Sequence, residues 1–175
     1  MTSPAGTDQS QIAEKAALLG RLAAQRGHVL GILRGLSDEQ LRRSVLPSGW
    51  TCLALVRHLA VDVERFWFRG VVAGQPVDFD DSTGWLPEPA ATGETVLGLY
   101  RDEVRLAADV LARAGLEAPP VRWPSYFTDF RLTSTREVLL HVITETATHA
   151  GQLDAVRELI DGRTWLGDPE TRVSR

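Results

Sequence analysis

Apolar residues recur along this chain at steps of three and four in four long stretches, the period of amphipathic helices. The first runs from about residue 8 to 35 and carries Ile12, Ala16, Leu19, Ala23, Leu30 and Leu33 on one face. The second, about 49–73, follows Ser48, a residue type suited to an N-cap. The third, about 93–115, follows Thr92 and stops near Gly115. The fourth, about 135–160, begins behind Ser134, where Ser134 and Glu137 have the S-x-x-E spacing of a capping box, and ends at Asp161-Gly162. Ser37 and Gln40 repeat that spacing and predict a shorter helix from Ser37. No stretch sustains the period-two alternation of a strand. Two connections rich in Pro and Gly, 74–92 and 116–133, are long for a compact domain. The expected fold is all-α: an antiparallel four-helix bundle with long crossover loops, one domain over residues 1–175.

Composition narrows the classes of function. The chain is 43% hydrophobic and 24% charged, the balance of a globular protein. A net charge of −4 with no basic stripe argues against a nucleic-acid partner. No apolar run approaches the roughly 20 residues of a membrane span, and the N-terminus lacks the basic-then-apolar pattern of a signal peptide. Cys52 is the only cysteine, so no internal disulfide forms, and a cytoplasmic location is expected. Lys15 is the only lysine among 19 basic residues, a trace of a GC-rich genome.

The fourth helix carries the chemistry. Its predicted buried stripe reads Val138, Val142, Glu145, His149, Leu153, Val156, Ile160. Two adjacent members are polar, and a carboxylate is costly to bury unless it is paired or binds a metal. Either Glu145 and His149 form a structural pair across one turn, or they belong to a metal site. On the second helix Leu55, His58, Leu59, Asp62 and Phe66 share a stripe, which points His58 to the bundle centre with Asp62 one turn away. Facing helices of a bundle are established places for metal sites. His141 is a rival ligand one turn before Glu145. It lies eight residues from His149, about 12 Å along the axis, too far for both to bind one ion. His149 is on the stripe and His141 at its flank, so His149 is preferred. A His₂Glu set with an open fourth position is the pattern of a catalytic metal. Asp62 is a candidate to orient His58 from behind.

The other residues read more plainly. His28 is taken as structural or surface, Cys52 as a small buried apolar residue, and Tyr126 with Trp123, Phe127 and Phe130 as loop anchors or a pocket wall. There is no H-E-x-x-H, no pair of Glu-x-x-His motifs, no glycine-rich phosphate loop and no G-x-S-x-G elbow.

Two segments resemble a known family. SGWTCLALVRHLA, residues 48–60, looks like the start of the second helix of DinB-like proteins. HVITETATHAGQLDAVRELIDG, residues 141–162, closely resembles the last bundle helix of an actinobacterial branch of that superfamily, similar to the N-terminal metal-binding domain of mycothiol-dependent maleylpyruvate isomerase. The resemblance implies a DinB/YfiT-like bundle with a divalent metal held by His58, Glu145 and His149. Zinc is the first expectation, with nickel or another ion as alternatives. It also implies a thiol-dependent S-transferase or isomerase with mycothiol as cosubstrate, so the expected partners are a small-molecule thiol and an electrophile. The isomerases carry a further C-terminal domain, for which the residues after Gly162 leave no room; transfer is therefore expected rather than isomerisation. A coordinating metal deprotonates a thiol whose free pKa is about 8.5, giving a nucleophile at neutral pH. A hydrolase using metal-bound hydroxide and a non-catalytic stress-response bundle are the competing readings. A homodimer suits such bundles, but no exposed stripe marks an interface.

Overall fold

A computed structural model describes residues 4–77 and 90–165. These form α1 (Pro4–Ile32), α2 (Asp38–Arg42), α3 (Cys52–His58), a π-helix (Leu59–Val72) that continues α3 without a break, α4 (Gly93–Arg113) and α5 (Thr135–Asp161). The described residues contain no strand, as the apolar periodicity predicts. The bundle consists of α1, the combined α3–π-helix, α4 and α5. In it α1 packs on α5, and α4 packs on the π-helix. Leu53, Leu55, Leu59, Phe68, Tyr100, Leu139 and Leu153 are fully buried between them.

The helix ends follow local capping chemistry, with three departures from expectation. α1 stops at Ile32 rather than near 35. The buried guanidinium of Arg157 on α5 takes the freed carbonyls, donating to Ile32 O at 2.7 Å and Arg34 O at 2.9 Å. The second helix is capped by Thr51, not Ser48: Thr51 Oγ1 accepts from Ala54 N at 3.2 Å. Ser48 instead belongs to a turn closed by Gly49 N donating to Leu46 O, with Gly49 at φ +82°, a conformation only glycine adopts cheaply. α4 ends at Arg113, because Ala114 turns extended one residue before Gly115.

Elsewhere the predicted caps form. Ser37 and Gln40 make a reciprocal capping box on α2, and Thr92 caps α4. Ser134 Oγ accepts from Glu137 N, while the Glu137 carboxylate reaches back to Thr133 N, one residue beyond the usual box. Gly162 ends α5 in the left-handed conformation at φ 79°. Most of the predicted 74–92 connection lies outside the described residues. The 116–133 connection is irregular and tied down: Val121 N and Arg122 N donate to Val72 O and Val71 O at 3.3 and 3.1 Å.

The fourteen-residue π-helix is the largest departure from the predicted regular helix. Such i→i+5 winding is rare, usually a single turn, and frequent at functional sites. It begins immediately after His58 and buries ten of its residues. It faces three neighbours at once. Glu64, fully buried, receives two hydrogen bonds from Arg26 of α1 at 2.7 and 2.6 Å. Arg65 and Arg69 both pair with buried Glu103 of α4, at 2.8 and 2.9 Å. Trp67 packs edge-on against His141 of α5, with centroids 4.6 Å apart. Burial pushes the Glu64 carboxyl above its ordinary range, against the opposing pull of Arg26.

Candidate metal centre

His58 is the last residue of α3, where α-winding gives way to π-winding. Glu145 and His149 lie one turn apart near the middle of α5. The bundle brings the three together: one nitrogen from each histidine and one Glu145 oxygen all lie within 4.8 Å of one another. The two imidazoles meet edge to face, with centroids 5.0 Å apart and planes at 81°.

Each ring is oriented from behind. His58 Nδ1 lies 2.9 Å from Asp62 Oδ2. A carboxylate only accepts, so Nδ1 carries the proton and Nε2 the lone pair. His149 Nδ1 lies 2.8 Å from Gln152 Oε1, three residues on along α5. With the Gln152 amide turned oxygen-first to the ring, Nδ1 donates to it and the His149 lone pair falls on Nε2, which sits 3.5 Å from Glu145 Oε2. Two electron-rich acceptors therefore face each other across 3.5 Å. That arrangement repels unless a cation or an added proton lies between them, and a His₂Glu donor set suits a divalent metal.

The burial expected for Glu145 is corrected. It sits at the rim, with 38% of its side chain exposed, while His149 is 10% exposed. The inward position beside it belongs to Thr146, fully buried and satisfied by its Oγ1 donating to Val142 O at 2.7 Å. Ile160 is likewise only partly buried. The cluster thus opens at Glu145 and closes behind the two histidines.

The remaining candidates separate cleanly. His141 lies outside the donor cluster. Its ring packs against Trp67 and Phe130, burial lowers its pKa, and the Glu145 charge opposes that shift. His28 has a partner that its sequence position did not reveal: Nε2 lies 2.9 Å from the Asp154 carboxylate, and the ring stacks on Trp165. Cys52 is fully buried, and burial pushes its thiol up to about 12. Tyr126 is exposed at 56% and packs on Phe127, while Trp123, Phe127 and Phe130 surround Trp67. Gln152 is a partner of His149 that the sequence does not single out. Its one signal was the i, i+3 spacing from His149, which reads equally well as a polar surface residue.

None of the described helices is long and apolar enough to cross a membrane. No curated protein and no solved structure matches the chain. The family model described as Mycothiol-S-transferase matches residues 17–162, which include the three clustered donors, Asp62 and Gln152. This is a DinB-like family, in line with the resemblance of the two helical segments. With well over half of its length matched, the chain belongs to the mycothiol-S-transferase family.

Proposed function

We propose that the protein is a divalent-metal-dependent S-transferase that joins mycothiol to a small electrophile, with His58, Glu145 and His149 as the metal ligands. The facing acceptors, His149 Nε2 and Glu145 Oε2 at 3.5 Å, carry this reading within a chain of this family. Zinc is the first choice for two imidazoles and a carboxylate. A divalent cation held there would act as a Lewis acid, favouring the thiolate over the thiol at neutral pH.

The chain's own residues do the rest. Asp62 and Gln152 hold the two rings in one tautomer and one orientation. Glu145, the single anionic ligand, offsets part of the cation's charge. Its exposure keeps one side of the site open for the thiol sulfur and the electrophilic carbon to meet. The thiol gives its proton to solvent, and the sulfur–carbon bond forms as the leaving group departs with its bonding pair, or as an electrophilic π bond shifts its pair to the neighbouring atom, which then takes a proton from solvent. The buried Cys52 is no competitor as a nucleophile, so sulfur must come from a cosubstrate.

The test is metal analysis of the purified chain and of His149→Ala, beside transfer assays with mycothiol, bacillithiol and glutathione. The expectation is one divalent ion per wild-type chain, its loss in the variant, and transfer from mycothiol only with metal present. Unchanged metal content in His149→Ala would sink the ligand assignment. Ester or amide hydrolysis without added thiol would replace the transferase reading by a hydrolase.

A further inference from the structure

A cavity of about 310 Å³ lies between the π-helix and the 122–126 segment. Its walls include Phe66, Val71, Arg122, Trp123, Ser125 and Tyr126. The volume is at the low end for small-molecule pockets, roughly 300–1,000 Å³. The segment is held to the π-helix by the Val121 and Arg122 backbone hydrogen bonds. Gly70 lets Val77 close against the helix, since a Cβ there would meet Val77 Cγ2 at 2.8 Å.

We propose that this cavity anchors the polyol end of the thiol cosubstrate, a sugar-like group remote from the reacting sulfur. The inference rests on the mycothiol reading above. The lining chemistry suits such a ligand. The Phe66, Trp123 and Tyr126 rings offer negative faces to the polarised C–H groups of a pyranose or cyclitol. Arg122 and Ser125 offer donors and an acceptor to hydroxyls. Trp123 lends the cavity wall its ring alone, since its indole Nε1 is buried away from solvent.

The cavity is lined by none of the three clustered donors, which suits a part of the cosubstrate remote from its sulfur. Phe66 is eight residues beyond His58 on the same continuous helix, at most about 12 Å along its axis. The electrophilic carbon has to approach the sulfur to about 3–3.5 Å, so its place is beside the triad. In mycothiol the thiol belongs to an acylated cysteine joined to glucosamine and then inositol, so its rings lie many bonds from the sulfur. Gripping a remote, non-reacting part of a substrate is how binding energy is spent on orienting the reacting part.

The probe is glucosaminyl-inositol, the thiol-free polyol, titrated calorimetrically into the full chain. Tyr126 and Arg122 are exposed, so Tyr126→Ala and Arg122→Ala are expected to fold, which circular dichroism checks. Each should weaken binding about tenfold, the loss of one good contact, while His149→Ala binds as wild type. Trp123→Phe, which shrinks the stacking surface from an indole to a phenyl ring, should weaken it by a smaller factor. No binding of the probe, or equal binding by both pocket variants, overturns the proposal. In turnover, the preference for mycothiol over N-acetylcysteine should fall about tenfold in the same two variants. A rise in the KM of the electrophile instead would assign the cavity to the second substrate and overturn it. If the probe binds in the expected pattern but no thiol is transferred, the subsite stands and the reaction reading fails.

Discussion

Gln152 accepts a hydrogen bond from His149 Nδ1 at 2.8 Å, and so turns the other ring nitrogen toward Glu145. The neutral amide on α5 does for His149 what the Asp62 carboxylate does for His58. Removing such a partner typically costs 10–100-fold in metal affinity. Gln152→Leu is therefore expected to bind metal about 10–100-fold more weakly in chelator competition. Gln152→Glu, which keeps an acceptor, should recover most of that loss. Equal affinity in all three proteins would show that the hydrogen bond does not orient the ring.

The Arg26–Glu64 pair ties α1 to the π-helix inside the core. Breaking a buried pair by removing one partner costs about 3–5 kcal/mol, because the other charge is left stranded. Arg26→Met or Glu64→Leu alone should lower stability by about that much in urea unfolding. The double variant should regain a large part of the loss. Additive losses would mean that the pair is not coupled.

Acid sensitivity should run through Asp161. Burial raises its carboxyl pKa, but hydrogen bonds from Arg157 and from the Arg163 backbone outweigh this, and the net shift is below the usual value of 3.8. A carboxylate with a depressed folded pKa stabilises above its unfolded pKa and loses that contribution as pH falls through the folded value. Wild type should thus outlast Asp161→Asn at pH 6, with the difference shrinking below about pH 4. Thermal unfolding scanned across that range checks the slope. A gap that widens on acidification would reverse the sign.

Cys52 should be silent in the native protein. It is fully buried, with its thiol pushed up to about 12. A disulfide reagent at pH 8 is expected to label it only as fast as the chain unfolds, and labelling should become complete in denaturant. Rapid native labelling would contradict its burial.

Helix existence was legible because amphipathic periodicity and Ser37, Thr92, Ser134 and Gly162 act within a few residues of themselves. The pairing of Glu145 with His149 was legible for the same reason, since four residues make one helical turn. The choice of Ser48 over Thr51 as a cap failed because either residue can accept. The positive φ of Gly49 decided between them.

The all-helical class, the cap at Ser134 and the ridge on which Glu145 and His149 stand all follow from contacts between near neighbours in the chain. The meeting of His58 with His149, the rim position of Glu145 beside inward Thr146, and the π-winding of residues 59–72 come from long-range packing. Those outcomes depend on how the α3–π-helix, α1, α4 and α5 share one core. Arg26, Glu103 and His141 reach the π-helix from positions 34 to 74 residues away along the chain from their partners Glu64, Arg69 and Trp67. Contacts at such separations leave no local period for a sequence to display.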